Sequence, residues 1–349
     1  MVMADRPGVA HASWPITATD VLALAGSMGA ALARVPLRRP WKRSGPKLEN
    51  VVIAATRETI RTFMGFASSL PIDEWRSLEL ALDDLCGAVL PPINDARGVD
   101  TEAGSVAGVP GVWYRQRGRE PRGTVLYLHG GGYIGTSPRM YALFVSALCR
   151  LTRCEFFVAD YRLAPEFPFP AGVEDAALVL EALLHKADDP GRIFLAGDSG
   201  GGGLVGTLLY VKGESGIPPL GGVLLFSPEV DLALDDMSIS ENAALDILPW
   251  NIPTASYVHG RDPATPAISA VDQDVSKWPP TFVAFGADEM FRDAIRRFVA
   301  HLVAAGVDTE SHEESGMFHV FPILMPWASP SRRVFSSLGA FVDKHLAED

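Results

Sequence analysis

Residues 192–203 read Arg-Ile-Phe-Leu-Ala-Gly-Asp-Ser-Gly-Gly-Gly-Gly: an apolar, β-prone run, then a serine enclosed by glycines, then a helix-like segment. No other stretch constrains the fold as strongly. A strand that turns at once into a helix leaves one hydroxyl exposed at the corner, and Ser199 is the candidate nucleophile. Such a corner holds the serine at strained backbone angles and crowds the positions two before and two after it. Gly197 and Gly201 stand there and carry no side chain to collide. A flexible loop has the same composition, so the reading needs an oxyanion site, a base and an acid from elsewhere in the chain.

The surrounding pattern supplies a frame for that corner. From residue 111 onward, short apolar runs alternate with helical periodicity. Strands are predicted at 111–117 (an edge strand), 124–128, 155–159, 193–196, 222–226, 281–285 and 308–313, and helices at 141–151, 173–185 and 294–305. Continuously apolar strands alternating with helices predict a mostly parallel sheet covered on both faces, with sites at the carboxyl ends of its strands. The first hundred residues differ. They carry helical patterns at 17–34, 48–69 and 72–89, the last ended by Pro91-Pro92. The expected organisation is a helical cap region over 1–95 and a catalytic domain over 96–349, with a cap insertion near 229–260.

His129-Gly130-Gly131-Gly132-Tyr133 begins where strand 124–128 ends. Successive glycines let backbone amides approach one point, as a negatively charged tetrahedral intermediate requires, so the amides of Gly131, Gly132 and Gly200 are the expected donors. No lysine follows in phosphate-loop spacing, and the glycines do not fit a dinucleotide fingerprint. A base is expected after the last strands. His319 lies there in a loop, whereas His312 falls within a strand and His301 within a helix. For the acid, Asp288 stands just past strand 281–285, where a carboxylate orients the histidine and stabilises its protonated form. Glu289 and Asp293 are its rivals, though either also reads as the charge favoured at a helix N-terminus. Glu229, after Phe226-Ser227-Pro228, reads equally as a site contact or a structural pair.

The formal charge of -12, from 30 Lys and Arg against 42 Asp and Glu, argues against nucleic acid as a partner. Within residues 1–50 the balance reverses, because Arg6, Arg34, Arg38, Arg39, Lys42, Arg43 and Lys47 face only Asp5, Asp20 and Glu49. The apolar run 21–33 is shorter than the ~20 residues that cross a bilayer, and its positive charges follow it, so it reads as a helix of a soluble protein. An apolar helix with basic residues behind it also suits weak contact with a membrane surface. Cys86, Cys149 and Cys154 have no metal-ligand spacing and read as small buried hydrophobes in a reducing compartment, the cytoplasm.

Taken together, His129-Gly130-Gly131-Gly132, the run Asp160-Tyr161-Arg162-Leu163-Ala164-Pro165-Glu166 with Phe169-Pro170-Ala171, Gly197-Asp198-Ser199-Gly200-Gly201, and Asp288 with Arg292-Asp293 resemble the hormone-sensitive-lipase-like, or bacterial family IV, esterases. The resemblance covers roughly residues 110–345. It implies an α/β-hydrolase fold with an N-terminal helical cap, a Ser199, Asp288 and His319 triad, and no metal or organic cofactor. It also implies hydrolysis of short- to medium-chain acyl esters, small-molecule ester substrates, and a monomer or homodimer. Two positions depart from the family, which usually has alanine after the serine and glycine after the histidine; here Gly200 and Val320 stand there. An amidase or arylformamidase of the same fold, or a non-catalytic ligand-binding relative, is the alternative. The first two cap helices and residues 235–257, with Leu248, Pro249 and Trp250, are expected to wall an acyl site.

Overall fold

The computed structural model describes residues 8–37, 46–213, 216, 218–249 and 254–346. Arg6, Arg38, Arg39, Lys42, Arg43 and Trp250 lie outside them. Three helices come first: α1 (Trp14–Arg34), α2 (Lys47–Ala67) and α3 (Ile72–Ala96). There follow β1 (Val99–Val106), β2 (Val109–Gln116), β3 (Thr124–Leu128), α4 (Ala142–Thr152), β4 (Glu155–Ala159), α5 (Ala171–Lys186), β5 (Ile193–Asp198), α6 (Ser199–Gly213) and β6 (Gly222–Phe226). The short helices α7 (Met237–Glu241) and α8 (Thr254–Val258) precede β7 (Thr281–Gly286), α9 (Arg292–Ala304), β8 (Thr309–Glu314), α10 (Phe321–Leu324) and α11 (Ser329–His345).

The strands form one sheet in the order β1-β2-β4-β3-β5-β6-β7-β8, parallel from β4 to β8 and antiparallel at β1 and β2. Alternation along the strands explains the apolar runs. Leu126, Leu195 and Leu225 face a core completed by α5, α6 and α9, whereas Tyr127, Phe194 and Leu224 face one completed by α4 and α11. With both faces covered, β5, β6 and β7 are buried at every position and β3 and β4 at all but their first. β3, β5, β6 and β7 therefore end together at one edge of the sheet.

Three expectations are corrected. Residues 109–116 do not form an edge strand, because β1 pairs outside them through a hairpin whose turn residues, Ala107 and Gly108, both have positive φ. Only the two ends of β1 are buried, so no apolar pattern announces it. Helix α3 does not stop at Pro91-Pro92 but runs to Ala96, with Leu90 packed against the α4 and α11 core; tertiary packing outweighs the hydrogen bonds that the prolines remove. Helix α1 has 21 residues, starting three before the expected helix 17–34, and although the apolar run 21–33 within it is too short to cross a bilayer, the whole helix is by length and hydropathy long and apolar enough to do so. Leu24 nonetheless packs with Trp75, Leu78 and Phe63 of α2 and α3, while Trp14 and Leu22 are about three-quarters exposed, at 76% and 74%. Cys149 and Cys154 are buried as expected, and Cys86 is only half-buried.

Candidate active site

At the end of β5 the chain turns into α6 with Ser199 at φ +50°, a left-handed conformation that side-chain-bearing residues rarely adopt. The glycines around it are sterically required. A Cβ on Gly197 would sit 2.6 Å from the Gly201 carbonyl oxygen, and one on Gly201 would sit 2.1 Å from that of Leu128 and 2.4 Å from that of His129. A Cβ on Gly200 would approach the Tyr133 amide nitrogen to 3.1 Å, a tight but lesser conflict. The first turn of α6 thus lies directly on the glycine loop that follows β3. Asp198 locks the two together: Oδ1 accepts from Tyr127 Oη at 2.8 Å and from the Gly130 amide at 2.9 Å, while Oδ2 accepts from Tyr141 Oη at 2.9 Å.

The loop from His129 to Tyr133 needs glycine as expected, with Gly131 at φ +110° and Gly132 at +61°. Gly131 and Gly132 line the same cavity as Ser199, and Gly200 follows the serine on α6. His129 shapes the loop. Its ring stacks on Tyr161 at 4.6 Å, and Tyr161 Oη donates to the His129 carbonyl. Helix α3 supports the loop from behind: Trp75 Nε1 and Arg76 Nη1 donate to the Ile134 carbonyl at 3.2 and 2.6 Å, and buried Arg76 also pairs with Glu166 and Glu79. Arg76 gave no sequence signal, because apart from Glu79 its partners, Ile134, Ala164 and Glu166, lie far along the chain.

His319 Nε2 stands 2.8 Å from Ser199 Oγ, with both residues buried. The expected acid is corrected. Asp288 points away, is a quarter exposed and pairs with Arg57 of α2 at 3.3 Å. The next residue, Glu289, is fully buried and places Oε1 3.9 Å from His319 Nδ1, an electrostatic contact longer than a hydrogen bond. Its other oxygen accepts from Ser227 Oγ at 2.7 Å and from the Gly286 amide at 2.9 Å. The tight turn after β7 causes the difference: a Cβ on Gly286 would meet the Met317 carbonyl oxygen at 2.2 Å, so the strand end is pressed against the histidine loop and the residue three further on turns inward. The rival Asp293 pairs with Arg292 and accepts from the Ser238 amide.

A second buried acid, Asp246, was not anticipated. Oδ1 accepts from the amides of His319 and Ile247, and Oδ2 from that of Met290. The Ser227 hydroxyl accepts from the Val320 amide while donating to Glu289, tying both sides of the loop together. Val320, the departure after the histidine, holds φ +49°, costly for a β-branched residue. Burial alone would lower the His319 pKa, but the charges of Glu289, Asp246 and Asp198 outweigh it and hold the imidazole above its ordinary 6.5. Desolvation pushes Asp198 and Asp246 up to about 6.

Ser199 and His319 open into a cavity of about 250 Å³. Its apolar wall comes from Phe63 and Met64 of α2, Trp75 of α3, Leu248 and Pro249 of the segment after β6, and Phe291. Of the expected walls, the second helix and residues 247–249 meet at the serine, whereas α1 does not reach the cavity and Trp75 of α3 takes part instead.

The profile of the α/β hydrolase fold family matches residues 125–323. An acetyl-hydrolase of Streptomyces hygroscopicus is 34% identical over 237 residues, spanning 66% of this chain and 78% of the relative. A carboxylesterase of Mycobacterium tuberculosis is 32% identical over 222 residues, spanning 59% of this chain and 69% of the relative. The crystal structure of an esterase from the bacterial hormone-sensitive lipase family superposes with a TM-score of 0.69 at 29% identity, covering 96% of this chain and 100% of that one.

Proposed function

The chain belongs to the α/β-hydrolase fold family, among the esterases like hormone-sensitive lipase, and from that premise we propose that it cleaves small carboxylic esters of short to medium acyl chain through Ser199. It is a carboxylic-ester hydrolase, and the amidase and pure-binder alternatives gain no support from its relatives. The observation that carries the serine's role is the 2.8 Å contact between Ser199 Oγ and His319 Nε2 at the mouth of an apolar cavity.

In this reading His319 takes the Ser199 proton as the oxygen attacks the ester carbonyl, and the amides of Gly131, Gly132 and Gly200 hold the oxyanion. The imidazolium passes its proton to the departing alcohol, leaving an acyl-serine that water, deprotonated by the same histidine, hydrolyses to the acid. Glu289 replaces Asp288 as the carboxylate that stabilises the charged imidazole, closing on Nδ1 from 3.9 Å as the charge develops. Turnover of p-nitrophenyl acetate, butyrate and hexanoate by wild type and Ser199→Ala tests the reading. We expect hydrolysis of the series by wild type and a loss of at least about a thousandfold in the variant; full turnover by Ser199→Ala would sink it.

The outward face of α1, with Trp14 and Leu22 exposed, supports weak contact with a membrane surface, which co-sedimentation with anionic vesicles checks. The three free thiols support the cytoplasm as compartment, and a monomer or homodimer is the expected assembly, separable by sedimentation velocity.

A further inference from the structure

The glycine run continues past what the serine turn needs. A Cβ on Gly202 would lie 2.7 Å from Pro228 Cβ, and one on Gly203 would lie 2.4 Å from the Glu229 carbonyl oxygen and 2.3 Å from Tyr133 Oη. These two glycines let the segment after β6 lie flat on the start of α6, where the Glu229 amide donates to the Ser199 carbonyl at 2.9 Å. The effect is to deliver the Glu229 side chain into the apolar cavity beside the nucleophile.

Glu229 is 1% exposed, and neither carboxyl oxygen has a hydrogen-bond partner among the described residues. A buried carboxyl left unpaired is costly, and cavities otherwise walled by Phe, Met and Leu do not carry one without a use. Desolvation pushes it up to about 7, against which the charge of His319 acts. Tyr133 and Tyr257, whose rings stack at 3.8 Å, both feel the Glu229 charge, and their buried hydroxyls also have no partner. Glu229 brings two unpaired oxygens to the cavity lining, with the two unpaired tyrosine hydroxyls behind it, so the cavity has an apolar wall and a polar corner at Glu229.

We propose that Glu229 forms a subsite for a hydrogen-bond donor carried by the ester, a hydroxyl or an ammonium group close to the scissile carbonyl, making the enzyme selective for hydroxy- or amino-substituted esters over plain alkyl esters. This rests on the ester-hydrolase reading above and deepens it. A substrate lacking the donor leaves the carboxyl unpaired, which a site built to hydrogen-bond its substrate discriminates against far more strongly than an apolar pocket rejects a methylene.

The test compares kcat/KM for ethyl butyrate, ethyl 3-hydroxybutyrate, ethyl 3-aminobutyrate and 2-hydroxyethyl butyrate in wild type, Glu229→Gln and Glu229→Leu. In wild type at least one donor-bearing ester should exceed ethyl butyrate by about tenfold or more. That ratio should collapse towards one in Glu229→Leu, while Glu229→Gln keeps a hydroxyl preference and loses an ammonium preference. The 2-hydroxyethyl ester distinguishes a donor on the alcohol side from one on the acyl side. A wild-type ratio near one for every donor, or a ratio unchanged in Glu229→Leu, overturns the subsite. If Glu229→Leu does not fold, Glu229→Ala takes its place, with the same collapse of the ratio expected and an unchanged ratio overturning the subsite. Failure of all four esters in wild type would count against ester hydrolysis itself. Calorimetric binding of 3-hydroxybutyramide and 3-aminobutyramide against butyramide then still decides the subsite, tighter binding of a donor-bearing amide supporting it and equal binding overturning it.

Discussion

The serine turn and the histidine loop meet at 2.8 Å, yet they are held in different ways. Around Ser199 the backbone is fixed by local sterics: Gly197, Gly201, Gly202 and Gly203 occupy places where any Cβ would strike main-chain or side-chain atoms. Around His319 the backbone is fixed by side chains from distant segments. Asp246 holds the His319 amide, Ser227 the Val320 amide, and Arg57 of α2 donates to the Gly316 carbonyl at 3.0 Å while lying over the Phe318 ring. A turn built from sterics tolerates almost no substitution, whereas a loop built from several long-range contacts loses its geometry in steps.

The largest effect that sharpens this comparison is expected at Gly201. Gly201→Ala must displace the Leu128 and His129 carbonyls, so we expect loss of measurable esterase activity and a lower thermal midpoint. Gly200→Ala asks for only a few tenths of an ångström from Tyr133 and should keep kcat/KM within about tenfold. Equal tolerance at the two positions would break the steric account of the turn.

A pH effect of intermediate size belongs to the histidine end. His319 must be neutral to accept the serine proton, so kcat/KM should fall below a midpoint above 6.5, by about tenfold per unit at the acid limit. Stability should run the other way. His319, Asp198, Asp246 and Glu229 all have folded-state pKa values raised above their ordinary ones, so the native protein binds more protons than the unfolded chain as pH passes through the range from about 4 to 7. Their contribution is complete at the acid end of that range and is lost as pH rises through 6 and 7. Melting curves should show a higher midpoint near pH 5.5 than near pH 8, and the reverse order would contradict the burial assigned to these groups.

A smaller effect is expected at Arg57. Its pair with Asp288 is partly exposed and contributes no more than about 1 kcal/mol, so Arg57→Ala should lower kcat/KM by up to about fivefold through the histidine loop. A loss as great as that of a triad residue would show that α2 takes a direct part in the chemistry.

The same contrast decides what the amino-acid sequence discloses. Ser199 and the loop at Gly131 and Gly132 are legible because both turns must carry glycine at fixed spacing, whether the atoms they make room for are near in the chain, as Gly201 is to Gly197, or distant, as Leu128 and His129 are to Gly201. The sheet is legible from β3 to β7 because strands covered on both faces must be apolar almost throughout, and β1 is not, because only its ends are buried. His319 is found by chain order. The carboxylate nearest His319 lies one residue past the expected Asp288, since whether Asp288 or Glu289 turns inward depends on how Gly286 packs against Met317, a contact between distant segments. Asp246, Arg76 and Arg57 are invisible for the same reason: the partners that place them at the site, His319, Ala164 and Asp288, lie far away along the chain, and their burial follows from the assembled fold.

The central claim is that the histidine is served by the buried carboxylate of Glu289 and not by its partly exposed neighbour. Steady-state kinetics of Glu289→Gln and Asp288→Asn on p-nitrophenyl butyrate, with folding of both verified by circular dichroism, test it most directly. We predict that Glu289→Gln lowers kcat by about a hundredfold or more while Asp288→Asn stays within about threefold of wild type. The opposite order, with Asp288→Asn inactive and Glu289→Gln near wild type, would contradict it.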